Sequence, residues 1–443
     1  MDATPPPARS GFLERTFRLA EHGTTIRTEV LAGLTTFLTM AYIVFINPSI
    51  LAEAGMPKGA VFVATCLVAA IGSGVMAFVA NYPIALAPGM GLNAYFAYVV
   101  VLQMGYTWQA ALGAVFISGL CFLIVTLTGL RRIIVEGIPR SMRIALTVGI
   151  GLFLAIIALK SAGVVVASPA TFVTLGDLHK PSTVLAVIGF LMVAVLSARR
   201  VKAALLISIL TITVLSFAFA GNAFTGFVSM PPSLAPTLFA LDLQGALSGG
   251  LVNVILVLFL VELFDATGTL MGVASRAGLL TAGKMPRLDR ALMADSSAIF
   301  VGSLLGTSST TAYLESAAGV EEGGRTGLTA ATVAVLFLAC LFFAPLAGSV
   351  PPYATAPALF YVACLMLREL VHLDWDDITE VVPACVTALL MPFTYSIATG
   401  VSFGFITYAV LKLMSGRARD VKPVVWVIAA VFLFKFIETG GAH

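Results

Sequence analysis

The chain has 443 residues, 59% of them hydrophobic and only 11% charged, and its mean hydropathy is +1.02. A soluble domain carries about 25% charged residues, so a chain this apolar reads as an integral membrane protein. The formal net charge of +3 comes without a basic stripe interleaved with aromatics, which argues against nucleic acid as a partner.

Residues 1–29 read as a cytoplasmic tail. Pro5-Pro6-Pro7 and Arg9, Arg15, Arg18 and Arg27 stand there without the short apolar core and cleavage site of a signal peptide. Within the tail, "FLERTFRLAEH" reads either as an amphipathic helix on the membrane, with Phe12, Leu13 and Phe17 dipping in, or as a frayed terminus.

Fourteen apolar segments follow, at about 30–52, 61–80, 84–103, 107–129, 141–160, 181–197, 201–219, 250–272, 291–306, 310–325, 327–347, 355–371, 379–396 and 399–414. Several approach the roughly 20 residues that a spanning helix needs; others are shorter. They are numbered 1 to 14 below. A last run, 423–437, reads as either an interfacial helix or an extra crossing. With the N-terminus inside, all the Lys and Arg residues except Lys58, Lys160 and Lys180 fall in cytoplasmic positions. The stretch 221–249 has no basic residue and belongs outside. This asymmetry predicts fourteen crossings with both termini cytoplasmic.

Fourteen divides into seven and seven, and an odd-numbered repeat must be inverted in the membrane. The expected domains are a first repeat over 30–219, an extracytoplasmic loop over 220–249, a second repeat over 250–414 and a C-terminal tail over 415–443. Two short echoes fit this division. "GLTTFLTMAYIVFINP" (33–48) aligns without gaps to "GLVNVILVLFLVELFD" (250–265). "APGMGLNAY" (87–95) lies on "SSTTAYLES" (308–316), which sets Asn93 opposite Glu315.

An ionisable side chain at bilayer depth costs about 2.5–3.5 kcal/mol on insertion scales, so each one is a candidate for function. Glu262 and Asp265 stand three apart in segment 8, Asp295 near the start of segment 9 and Glu315 in segment 10. No Lys or Arg is expected at comparable depth to pair with them. The bland reading of such an acid is a hydrogen-bonded brace between helices; for Asp265, Thr267 and Thr269 would be the partners. Against it stands the setting of Asp265 and Glu315 among Thr, Ser and Gly.

Segments 3 and 10 look interrupted. Segment 3 opens with Pro83, Pro88, Gly89 and Gly91, and proline inside a helix removes a backbone bond. Segment 10 opens with "GTSSTTAY", a run of hydroxyls with low helix propensity. Helix is expected to resume near Gly89–Gly91 and near Thr311, with Asn93 and Glu315 in the first turns. Irregular backbone at that depth is tolerated where it lines a cavity, and two facing broken segments define a shared site near the midplane.

The five cysteines, Cys66, Cys121, Cys340, Cys364 and Cys385, lie in apolar runs without a C-x-x-C pair, and the four histidines (His22, His179, His372, His443) are scattered. Neither pattern suits a metal site, and no cofactor is expected. A membrane enzyme would need a nucleophile with its base, or a metal cluster, and neither is legible.

Four stretches in order, "AGLTTFLTMAYIVFINPSIL", "NYPIALAPGMGLNAYFAY", "FDATGTLMGVA" and "SSTTAYLESAAGVEEGGRTGLTA", resemble the azaguanine-type purine permeases. These form the adenine, guanine and hypoxanthine branch of the nucleobase–cation symporter-2 family. The resemblance runs from about residue 12 to 414. It implies an all-α polytopic fold, a seven-plus-seven inverted repeat with core and gate domains, and short antiparallel strands in segments 3 and 10. It implies proton-coupled purine uptake across the inner membrane, by a carrier and not an enzyme. Carried over residue by residue, Glu315 looks like the segment 10 carboxylate that binds the base, Asp265 like the segment 8 carboxylate that contacts it, and Asn93 like the polar residue of segment 3. Thr267, Thr311 and Ser316 complete the expected binding set. Asp265, Glu262 and Asp295 are the candidates for proton coupling. The uracil and xanthine branches usually carry Asn where Ser316 stands, which favours the azaguanine-type branch.

The chemistry suits a purine. A carboxylate accepts N–H groups in charge-assisted bonds about twice as strong as neutral ones, and Tyr95, Phe96 or Phe264 offer rings to stack on. The expected partners are a purine nucleobase, H+ with Na+ as the alternative ion, the lipid bilayer and, left undecided by the sequence, a second copy in a homodimer. Two other readings stay open: a channel or anion transporter of the sulfate-permease type, which shares this fold, and a uracil- or xanthine-type permease. The first predicts a basic residue at the centre.

Overall fold

The computed structural model describes residues 11–130, 137–247, 251–280 and 285–439. The apolar runs fold as helices because backbone in a bilayer must satisfy its own hydrogen bonds. Segment 1 is two helices, Ile26–Met40 and Ile43–Glu53, parted at Ala41 and Tyr42; Thr25 caps the first by accepting from the Thr28 amide. Segment 2 is Lys58–Val75, continued by a π-helical turn, Met76–Ala80. Segments 4 to 7 are Trp108–Leu127, Arg140–Ser161, Pro181–Ala198 and Ala204–Phe219. In the second half, segment 8 is one helix, Leu251–Arg276, and segment 9 is Leu288–Leu305. Segment 11 starts at Gly327, segment 12 at Pro352, segment 13 is Ile378–Phe393 and segment 14 is Ile397–Met414. The run at 423–437 falls within a helix, Pro423–Thr439, that packs on segment 14. Among the described residues, nine helices are long and apolar enough to cross a bilayer, and four more apolar helices are 10–17 residues long.

Segments 3 and 10 are broken as expected. Strand β1, Leu86–Pro88, precedes a short helix, Met90–Ala94, which runs on as a π-helix, Tyr95–Gln103. Two further strands, β2 (Val165–Ser168) and β3 (Phe172–Leu175), form an antiparallel hairpin after segment 5. Strand β4, Thr310–Ala312, precedes the short helix Ser316–Glu321. Strands β1 and β4 pair antiparallel, with Leu86 opposite Ala312, Ala87 opposite Thr311 and Pro88 opposite Thr310.

Two expectations need correction, and one element stands outside them. The β2–β3 hairpin was not foreseen, although "VVVASPATFVTL" carries its β-branched residues and a central turn. Helix in segment 10 resumes at Ser316, not near Thr311, because Thr310 and Thr311 are drawn into the strand; Glu315 therefore stands just before the helix. At the N-terminus, Phe12–Phe17 is a helix, but Phe17 points into the protein. It is buried against Phe78, with 5.6 Å between ring centroids, and joins Ala77, Leu328 and Ala330 in a small core.

The helices assort into two bundles. Segments 1 to 4 pack with segments 8 to 11, and segments 5 to 7 pack with segments 12 to 14. The strand pair lies in the first bundle, in contact with segments 2, 8 and 9. Glycines permit the closest approaches. A Cβ on Gly319 would lie 2.1 Å from Thr36 Oγ1, so only glycine lets segment 10 lie on segment 1. A Cβ on Gly91 would lie 2.5 Å from Ile150 Cγ2, where segment 3 meets segment 5 of the other bundle. Tyr98 and Tyr395 also meet across the bundles, edge to face at 6.4 Å, and Lys202 pairs with Glu322.

Glu29, wholly buried at the start of segment 1, binds the entry to segment 11. Its carboxylate accepts from the amides of Arg325 (2.9 Å), Thr326 (3.3 Å) and Thr329 (3.2 Å) and from the Thr329 hydroxyl (2.6 Å). Glu29→Ala would strand these buried donors, at about 1–3 kcal/mol for an unsatisfied group. Its melting temperature in detergent should fall clearly below that of the parent protein; an unchanged melting temperature would show that water satisfies those amides.

Candidate functional site

The two broken segments pair beside segment 8, and the exposed side chains of Asp265 and Leu314 mark a crevice there. Their pairing extends beyond the strands, since Gly89 N donates to Ser309 O (2.9 Å) and Tyr313 N to Ala85 O (3.0 Å). Tyr313 locks the pair from the side, its hydroxyl donating to Pro88 O at 2.6 Å. Asp295 holds the end of β4 by accepting from Ala312 N at 3.1 Å. Ser316 Oγ accepts from Ala85 N at 3.0 Å, and Ser73 Oγ from Leu86 N at 3.0 Å. The irregular backbone is thus held largely by side chains, which is what allows it to exist at this depth.

Glu315 follows β4 and is half-buried. Its carboxylate accepts a short hydrogen bond at Oε1 from the Tyr42 hydroxyl, and the Thr39 hydroxyl, which donates to Thr36 O at 2.7 Å, lies 3.4 Å from its main-chain carbonyl. Asp265, one helix away on segment 8, is exposed in the crevice beside the Thr311 hydroxyl, close enough to Glu315 for the two carboxylates to repel. Leu314, between the buried Tyr313 and the half-buried Glu315, is 48% exposed. Two acids and a threonine hydroxyl therefore stand together. Among the described residues, neither Asp265 nor Glu315 forms a salt bridge.

The other expected residues do not all meet here. Glu262, one turn from Asp265, is buried and accepts from Ser118 Oγ of segment 4 at 2.7 Å, with Ser309 beside it. Thr267 Oγ1 donates to Leu263 O one turn back, at 2.5 Å. Asn93 belongs to a buried polar chain: its Nδ2 donates to Asn47 Oδ1 at 2.6 Å, and its Oδ1 accepts from Ser308. Asn47 in turn donates to Thr65 Oγ1 (2.7 Å) and Thr307 Oγ1 (2.9 Å). This chain ties segments 1, 2, 3 and 10 together behind the strands. Tyr95 and Phe96 lie in the main apolar core as packing residues. The side chain of Phe264 lies outside the described residues.

Sequence reasoning missed Tyr42, Asn47 and Glu29. Each is a polar group in or beside segment 1, and "INP" was the one visible signal, an amide beside a mid-segment proline. It also missed Lys412, a cation only 1% exposed near the end of segment 14. Lys412 serves a separate cluster, bonded to Glu380 Oε1 at 2.6 Å and 3.8 Å from Asp377 Oδ2. There Thr379, Arg417 and Lys412 hold the Asp377 carboxyl well below the usual carboxylate range. A cavity of about 550 Å³ opens beside this cluster, lined by Arg140, Arg143, His372 and Lys422 among others. Among the described residues, no three His, Cys, Asp or Glu side chains converge as metal ligands would.

Known proteins share both sequence and architecture with the chain. It is 50% identical over 428 residues to the adenine permease AdeP of Escherichia coli (strain K12), covering 96% of each chain. It is 44% identical over 428 residues to the guanine/hypoxanthine permease PbuO of Bacillus subtilis (strain 168), covering 95% of this chain and 99% of that one. In architecture it resembles the transmembrane domain of a cyanobacterium bicarbonate transporter, BicA, with a TM-score of 0.64 at 17% identity, over 84% of this chain and 97% of that one. That likeness concerns the fold alone. The family model described as "Permease family" matches residues 27–404. The chain is a multi-pass membrane protein and belongs to this permease family.

Proposed function

We propose that this chain is a secondary active transporter that takes up purine nucleobases across the cytoplasmic membrane, coupled to protons. The carrying observation is the pair of carboxylates in the crevice, Glu315 and Asp265, which form no salt bridge among the described residues. A neutral purine has a flat apolar body and N–H donors at its edge. It satisfies a carboxylate without bringing a charge of its own. Relatives named as adenine and guanine/hypoxanthine permeases, alike over nearly their whole length, support the same substrate class. Anion transport, as in the bicarbonate transporter of similar fold, fits poorly, since two carboxylates would repel the anion.

In this reading Glu315 accepts from the base, the Thr311 hydroxyl and Asp265 stand beside it, and Asp265 carries the proton. Asn93 and Ser316 act by fixing the backbone on which Glu315 stands, and Thr267 by shaping segment 8. Glu262 and Asp295 are the reserve proton carriers; Ser118 and Ala312 already engage them. Strands at the third segment of each half support a seven-plus-seven inverted repeat over 30–219 and 250–414. The two bundles suit core and gate domains that move against each other. The test is uptake of labelled adenine and hypoxanthine by cells expressing the protein, against labelled sulfate and bicarbonate. Purine-specific uptake is expected.

We propose fourteen crossings with both termini cytoplasmic, which places 221–249 outside. Ser229 and Ser233 are exposed in that stretch. Cysteines placed there in a cysteine-free background should react with an impermeant thiol reagent in intact cells. Reaction only after the membrane is broken would reverse the topology.

A further inference from the structure

Segment 1 breaks beside the crevice, and the break delivers one side chain to Glu315. Ala41 and Tyr42 separate the two helices. Tyr42 is wholly buried, and its hydroxyl donates to Glu315 Oε1. Ser316, next in sequence, is tied to Ala85 on the other side. Residue 315 is therefore held at its carboxylate and through its neighbour.

We propose that Tyr42 is a positioning residue for purine recognition, pinning one carboxylate oxygen of Glu315 so that the other is presented to the base. This rests on the reading of Glu315 as the acceptor for the base. A glutamate side chain has three rotatable bonds and would otherwise be free to swing, and Asp265 nearby repels it. A phenol hydroxyl is a directional donor that opposes both effects. Fixing the acceptor beforehand removes an ordering cost that binding would otherwise carry. The hydroxyl does this while the ring packs in the main apolar core. The bland alternative is that the ring alone matters, in which case phenylalanine would serve as well.

Tyr42→Phe keeps the ring and deletes the hydroxyl. Adenine uptake by this variant should show a KM raised roughly tenfold with Vmax within about twofold of the parent, the pattern of lost binding and not of lost turnover. Membrane level and melting temperature should hold. Tyr42→Met, a second variant without the hydroxyl, should show the same KM defect. Glu315→Gln is measured alongside. If Glu315→Gln keeps the parent KM, the binding role of Glu315 is what fails. If Glu315→Gln loses affinity while Tyr42→Phe and Tyr42→Met keep the parent KM, or lose only Vmax or membrane level, Tyr42 merely packs and the positioning role is overturned.

Discussion

Glu315→Gln is expected to weaken purine affinity by about 2–4 kcal/mol, roughly 30- to 800-fold, with normal insertion in the membrane. The side chain keeps its length, so packing is preserved. What changes is the pattern of donors and acceptors. Tyr42 donates at Oε1, and in the glutamine variant it would hold the amide oxygen. The amide NH2 would then face the crevice, where the base presents an N–H. Two donors would meet, and a site built to accept a hydrogen bond discriminates strongly when its polar groups are left unpaired. The check is direct binding of labelled adenine to purified protein, with the amount in the membrane measured on the same preparations. Parent-like affinity in a well-inserted Glu315→Gln protein would remove Glu315 from the binding site.

Asp265→Asn is expected to abolish accumulation against a gradient while purine exchange or binding survives. Asp265 is exposed in the crevice, whereas Glu262, one turn away, is buried on Ser118. Acids close together in an apolar surrounding cannot all ionise cheaply, and the exposed one is better placed to load and release a proton than the buried one. The alternative role is a brace of segment 8, with the Thr311 hydroxyl beside the carboxylate. The two roles separate in the measurement. A brace would lose membrane level and binding together. Retained, protonophore-sensitive accumulation in a well-expressed Asp265→Asn protein would assign the proton to Glu262 or Asp295.

Much of this was legible in the sequence, for definite reasons. Apolar runs mark helices because the bilayer forbids most alternatives, and Pro83, Pro88 and the hydroxyl run at 307–311 marked the two breaks. The acids of the crevice were visible because an ionisable residue stands out in an apolar run. Partners were not visible. Tyr42 reads as one more aromatic in "MAYIVF" until the break in segment 1 turns it towards Glu315. Asn93 looks like a binding residue by its place in "GLNAY", yet its bonds run to Asn47 and Ser308. Glu29 escaped because it lies at the margin of segment 1, where an acid draws no notice. The helix start in segment 10 was misjudged because strand pairing between distant segments overrode the local pattern. Each of these depends on contacts across more than forty residues of chain, which periodicity and local propensity do not encode.

The most direct test uses the purified protein in liposomes with an imposed proton gradient, acidic outside. Labelled adenine, guanine and hypoxanthine are offered in turn, then challenged with unlabelled purines, uracil, xanthine, sulfate and bicarbonate, with and without a protonophore. Accumulation of at least one of the three purines, competed by the others, untouched by the anions and collapsed by the protonophore, is the predicted result. Uptake of sulfate or bicarbonate without uptake of any purine, or purine accumulation driven equally well with the proton gradient collapsed, would contradict it.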